Sequence, residues 1–253
     1  MSLVAVCAAG GSTGSTTTSL LLAAMSPEQH PALLAECDPD GGDVAAWAQV
    51  QPAPGWATAA ASSDRTLAGL LAHTQLVSGL PALLSPSRPS QARSAVREGA
   101  VGFSGLLAGT PEVLAYADCG LVTLEAPVWA RAAQLTLLLV RQVPGSAPAT
   151  VARVDRAIEA VEVLRGACSQ VGVVLVGGAP YGAREVASVL GVELFGVLPE
   201  DAAGAAKVCG GWTVGRGAAK TALARDAAVL AGRVVEAVRG RQDLARRSRV
   251  VSR

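Results

Sequence analysis

Along most of this chain, short apolar runs closed by glycine, proline or acidic residues alternate with stretches whose apolar positions recur at helical spacing. Leu3–Ala8 is an apolar run that ends in the glycine-rich segment Gly10–Gly14, and a Ser/Thr stretch then leads into Leu20–Ala24, which predicts strand, turn and helix. Ala32–Cys37 reads as a second strand, stopped by Asp38, Pro39 and Gly41. From about Gln51 to Thr110 the pattern is broken by Pro and Ser, with helical patches at Leu67–Leu71 and Ser90–Val96 and a short strand at Ala82–Ser85. After that the alternation sharpens. Strands are expected at Val113–Asp118, Gln134–Val140, Val171–Val176 and Val192–Val197, and helices at Thr150–Leu164, Ala183–Leu190 and Ala218–Val238. The helix at Thr150–Leu164 would carry Val151, Val154, Ile158, Val161 and Leu164 on one face. Strand and helix alternating in this way predict a doubly wound α/β fold: a mostly parallel sheet of about seven strands with helices on both faces. We expect one domain over residues 1–240 and a basic, flexible tail over 241–253.

Composition supports this. Hydrophobic residues make up 51% of the 253 positions and aromatics only 3%, which suits Val/Leu strands buried on both faces under Ala/Leu helices. Runs such as Leu137–Val140 and Val171–Val176 are too short for a bilayer, and no basic region precedes the first apolar run. The expectation is a soluble cytoplasmic protein without a transmembrane segment. Five cysteines, none in a CxxC pair, argue against a disulfide framework. With only His30 and His73, a His-based triad or zinc site is not expected.

A net charge of +1 gives no global field toward nucleic acid or membrane. Its distribution says more, because lysine occurs only at Lys207 and Lys220 and arginine carries the rest. Arg239, Arg241, Arg246, Arg247, Arg249 and Arg253 gather at the C-terminus against Asp243 alone; such a tail is either a solvated end or a contact for DNA or acidic lipid.

The chemistry-bearing segment is GGSTGSTTTS, Gly10–Ser19, between a predicted strand and a predicted helix. Glycines let the backbone curl so that successive N–H groups face an anion, and the helix N-terminus adds partial positive charge. Thr16, in the first helical turn, is where a hydroxyl ligates Mg²⁺ in such loops. The pattern GxxxxGK[ST] is not met, because Ser15 stands where lysine would be.

ALLAECDPDGGD, Ala32–Asp43, resembles the second strand of the ParA/MinD family of P-loop ATPases, an apolar run followed by DxDPQGN, and the first loop resembles that family's KGGxGKTT. In this register Gly10 replaces the signature lysine and Gly11 and Ser12 fall on its two glycines. Thr13 fills the variable position, Gly14 is retained, Ser15 replaces the P-loop lysine, and Thr16 and Thr17 match the hydroxyl pair. Glu36 replaces the first acid of the second motif, while Asp38 and Pro39 are retained. AYADCGLV places Asp118 where the family has its Walker B aspartate, without the diproline. GVELFGVLPED, Gly191–Asp201, is similar to the family's late strand and the loop beside the nucleotide base, with Pro199 in it.

The resemblance implies a P-loop NTPase-like fold that binds ATP with Mg²⁺. The nucleotide would lie on Gly10, Gly11, Ser12, Thr13, Gly14, Ser15, Thr16, Thr17 and Pro199. Thr16, Asp38 and Asp118 would hold the metal, and Asp38 and Asp118 would act in catalysis. It also implies an ATP-dependent homodimer that positions or partitions DNA or another cargo through a protein partner. Without lysine the loop offers N–H groups and hydroxyls but no formal charge, which implies slow or absent hydrolysis, and a nucleotide-free interaction scaffold is the alternative. Arg141, just past the strand at Gln134–Val140, can either reach a phosphate or solvate a strand end; Arg131 and Arg216 are further cations to consider. Asp40 and Asp43 read as loop solubility and helix capping, Cys7, Cys37 and Cys119 as buried small residues, and Trp47, Trp56, Trp129 and Trp212 as packing or interface residues.

Overall fold

The first strand, β1 (Leu3–Ala8), is buried at every position, which an all-apolar run permits only where both faces of a sheet are covered. The computed structural model describes residues 3–210 and 220–251, with side chains up to 241. Trp212 and Arg216, and the side chains of Arg246, Arg247, Arg249 and Arg253, lie outside the described residues.

After β1 come α1 (Ser15–Ala24), β2 (Ala32–Glu36), α2 (Val44–Trp47), α3 (Trp56–Ala61), α4 (Leu67–Leu71), β3 (Gln75–Val77), β4 (Leu80–Leu83) and α5 (Pro89–Gly109). The chain continues through β5 (Leu114–Leu121), α6 (Val128–Ala132), β6 (Leu135–Arg141), α7 (Ala147–Arg165), β7 (Val171–Val176), α8 (Ala183–Leu190), β8 (Glu193–Leu198), α9 (Ala202–Cys209) and α10 (Ala222–Val251). The eight strands lie in the order β3-β4-β2-β5-β1-β6-β7-β8. All neighbours pair in parallel except β3 and β4.

The eighth strand, β3, exceeds the expected number. It forms a hairpin with β4 across Ser78 and Gly79, both at positive φ (53° and 85°), which suits the right-handed twist of paired strands.

Period-two alternation divides the core. Leu3, Ala5 and Cys7 face one cluster with residues of α3, α5, α6, α7 and α8, while Val4 and Val6 face the other with α1 and α10. On α7, Val161 and Leu164 are buried as expected, but Val151 is 44% exposed, and the small residues Ala157 and Ala160 take the covered positions. The middle of the chain is more helical than its sequence suggested, since α5 runs from Pro89 to Gly109. Its glycines hide the periodicity and admit bulk. A Cβ on Gly99 would lie 2.7 Å from the Trp56 ring, and one on Gly102 would lie 2.8 Å from the Arg65 guanidinium. At the other end, backbone helix continues in α10 to Val251, beyond the expected Val238 and through part of the stretch expected to be a flexible tail.

Candidate functional site

The parallel strands send their C-terminal ends to one edge of the sheet, where ligands of open α/β folds bind. The turns following β1, β2, β5, β6 and β8 lie along that edge. The turn after β1 curls through two left-handed residues, Ser12 (φ 58°) and Gly14 (φ 83°), before α1 begins at Ser15. Thr13 is buried and its hydroxyl donates to the Gly10 carbonyl at 3.0 Å. The N–H groups of Gly11, Gly14, Ser15, Thr16 and Thr17 donate to no acceptor among the described residues. This leaves a row of free donors at the positive end of a helix.

Asp118, on β5 beside β1, is 2% exposed. Burial pushes its carboxyl up to about 6; the nearby Thr16 hydroxyl pulls it back, the Asp38 charge raises it further, and the Gly120 N–H and the Ser15 hydroxyl lower it. The pairing of β1 with β5 shifts register between Val6 and Ala8, so that Val6 faces Asp118 and Ala8 faces Leu121. In that bulge Gly120 adopts φ 65°. The bulge leaves room for Asp38, whose carboxylate lies 2.2 Å from where a Gly120 Cβ would be. Burial raises the Asp38 carboxyl; the Asp40 N–H, 2.8 Å away, lowers it, and the Asp40 and Asp43 charges raise it. The structure therefore brings together Ser15, Thr16, Asp38 and Asp118.

The other acids do not join them. Glu36 accepts at Oε1 from the N–H groups of Asp43 and Val44, both 2.9 Å, and at Oε2 from Ser85 N–H at 3.0 Å. The cap of α2 is therefore Glu36. Asp43 occupies the N-cap position without a side-chain bond, which corrects the capping role expected of it. Burial pushes the Glu36 carboxyl up to about 7 against those three N–H groups, with the Asp118 charge adding to the rise. Asp40 is exposed and paired with Arg93 at 2.8 Å. Cys7, Cys37 and Cys119 are buried in the core. The Cys7 thiol and burial push Cys119 up, and burial pushes Cys37 up, so both behave as small neutral side chains. Trp56 and Trp129 lie with ring centroids 4.8 Å apart and planes tilted by 45°, consistent with packing.

Arg141 extends to the turn after β1. Its guanidinium donates to the Ser12 carbonyl at 3.2 Å and pairs with Glu200 in the turn after β8, beside Pro199. It therefore braces the two turns together and does not simply solvate a strand end. Arg131 instead bonds the Ala126 carbonyl and Glu125. The Thr17 hydroxyl lies 4.0 Å from the Cys209 sulfur on α9. Sequence reading missed two cations. Arg153 and Arg156 of α7 line a cavity of about 430 Å³ together with Gly10, Gly11, Thr13 and Arg141. Their i, i+3 spacing on the helix after Arg141 was the available signal.

Among the described residues, no group of three His, Cys, Asp or Glu could hold a metal by itself. A hydroxyl and one or two carboxylates suit a hard ion such as Mg²⁺, whose remaining ligands are phosphate oxygens and water. The donors present fit that ion only together with an anionic ligand.

A doubly wound sheet whose first strand ends in a glycine-rich turn and helix, with an aspartate on the adjacent strand facing it, is a P-loop type of α/β fold. No protein-family model matches the chain, and no curated protein matches it in sequence. Solved structures do match. A ParA family ATPase from Chlorobium tepidum TLS superposes with a TM-score of 0.72 at 17% identity, over 91% of this chain and 97% of that one. The septum site-determining protein MinD from Pyrococcus horikoshii OT3, complexed with Mg-ADP, gives 0.60 at 15% identity, over 91% and 94%. The ATP complex of a Cyanothece McdA variant gives 0.62 at 16% identity, over 94% and 96%. The fold is that of the ParA and MinD ATPases.

Proposed function

We propose that this protein is a ParA/MinD-like nucleotide-binding switch that takes ATP with Mg²⁺ at the turn after β1. In this reading it dimerises in the bound state and hydrolyses slowly or not at all. One observation carries the reading: Asp118 is buried under the Ser15 and Thr16 hydroxyls with Asp38 beside it, next to a turn whose N–H donors are free among the described residues. Two carboxylates this close repel, and a bound cation would relieve that. Such an ion, when bound, would neutralise phosphate charge. Thr16, Asp38 and Asp118 would hold it, Gly10–Thr17 would cradle the phosphates, Asp38 would orient a water, and Pro199 would lie beside the base. The solved relatives bound to Mg-ADP and ATP lend support at the level of fold. By the same likeness the output would be positioning of DNA or another cargo through a protein partner, with the C-terminal arginines as a DNA contact.

The test is calorimetric titration with ATP and a non-hydrolysable analogue, with and without Mg²⁺. Binding that requires Mg²⁺ and disappears in Asp38→Ala supports the reading; no heat and no thermal shift at millimolar ATP refutes it.

A second reading, a nucleotide-free scaffold, has its own observation. Ser15 stands at the lysine position with its hydroxyl near Asp118, while Arg141 is already engaged by Glu200 and Ser12. It requires Asp38→Ala to be silent in every nucleotide assay.

A further inference from the structure

The turn after β1 contains no cation, yet the cavity it opens into does. Arg153 and Arg156 line that cavity with Gly10, Gly11 and Thr13, on the side of the turn reached from α7. The Arg156 Nε lies 3.9 Å from the position of a Cβ on Gly10, so the guanidinium reaches the turn itself. A Cβ on Gly11 would meet nothing within 4 Å, so the space beside it is open. Arg141, the third arginine of the cavity, is neutralised by Glu200. Arg153 and Arg156 form no ion pair among the described residues. Glu159 is the one acid in the lining, leaving an excess of positive charge against a glycine backbone.

We propose that Arg153 and Arg156 form an oxyanion subsite, in which helix α7 and not the turn supplies the countercharge for a phosphate group. The identity of the ligand rests on the nucleotide reading above; the anion site itself does not. Guanidinium forks bind phosphate oxygens bidentately. A glycine at position 10, with no side chain between backbone and arginine, lets both approach one anion. The subsite accounts for how a turn without lysine can retain an anion.

The test compares wild-type protein, the double variant Arg153→Ala/Arg156→Ala, and Arg184→Ala, an exposed arginine of α8 outside the cavity lining. Each is titrated calorimetrically with ATP, ADP and inorganic tripolyphosphate in Mg²⁺. Alanine preserves helix propensity, and circular dichroism with a melting curve checks that the double variant is folded. The expected result is a loss of roughly ten- to a hundredfold in ATP and tripolyphosphate affinity in the double variant, none in Arg184→Ala, and partial recovery in Arg153→Ala/Arg156→Lys. Affinity equal to wild type in the folded double variant overturns the subsite and leaves the nucleotide reading intact. Tripolyphosphate binding that needs the arginines, without nucleotide binding, supports the subsite and removes the nucleotide reading. No binding of any ligand by the wild type overturns both. A double variant that loses only self-association, with anion affinity unchanged, overturns the subsite in favour of a protein contact.

Discussion

The carboxylate of Asp38 occupies the space that a side chain on Gly120 would need, with Oδ2 2.2 Å from the ideal Cβ position. Gly120 also has φ 65°, a conformation that L side chains rarely adopt. One glycine thus lets the acid after β2 and the acid on β5 share a site. Gly120→Ala is expected to destabilise the protein by about 1–3 kcal/mol and to abolish Mg²⁺-dependent nucleotide binding by displacing Asp38. Gly105→Ala is the control. Its Cβ meets nothing within 4 Å and it lies inside α5, so the variant should be more stable by about 0.5–1 kcal/mol. Urea unfolding of both variants measures the contrast.

Asp118→Asn separates function from stability. Asparagine keeps an acceptor for the Thr16 hydroxyl but removes a buried charge whose carboxyl is pushed up to about 6. At pH 8 the variant without ligand should be more stable than wild type by about 1–2 kcal/mol, while Mg²⁺-dependent ATP affinity falls at least about tenfold. Denaturant titration alongside calorimetry reads both. A simultaneous loss of stability and affinity would mark Asp118 as a structural residue.

What the sequence made legible follows physical lines. Strands such as β1 and β7 declare themselves because a strand covered on both faces tolerates only apolar residues, and the turn after β1 because a tight curl toward an anion requires glycine. The middle was less readable. In α5, Gly99, Gly102, Gly105 and Gly109 erase the helical periodicity, and the reason for Gly99 is Trp56, more than forty residues earlier in the chain. Glu36 stands at the place of the motif's first acid, but its three N–H partners come from the α2 turn and from Ser85 after β4. Arg153 and Arg156 could be assigned to a face of α7, but only the packing of α7 on the sheet determines which turn that face meets.

Glu36 should make stability depend on pH. Its folded value of about 7 is raised from 4.5. Its contribution is therefore fully present below about pH 4.5 and lost as pH rises toward 7, a decline of at most about 3 kcal/mol. Glu36→Gln cannot ionise, but its amide faces the Ser85 N–H and forfeits one bond, at a cost of about 1 kcal/mol. The variant should be less stable than wild type at pH 5, with the gap closing or reversing at pH 8. Urea midpoints at the two pH values decide it, and parallel pH profiles would exclude Glu36 as the titrating group.

Ser15→Lys places a cation at the first residue of α1, beside the Thr16 hydroxyl near Asp118. If the turn is organised to hold phosphate, a lysine there should add a charge-assisted contact and raise ATP affinity by about tenfold. Turnover should rise more, by about a hundredfold, because charge develops on the transferring group in the transition state. Single-turnover hydrolysis of radiolabelled ATP measures the gain, and adding Asp38→Ala to the lysine variant should cancel both the turnover and the Mg²⁺-dependent affinity. A lysine variant that binds ATP more tightly without faster turnover would mean that the remaining groups are arranged to hold nucleotide and not to cleave it. A variant unchanged in both respects would mean that the turn does not receive phosphate.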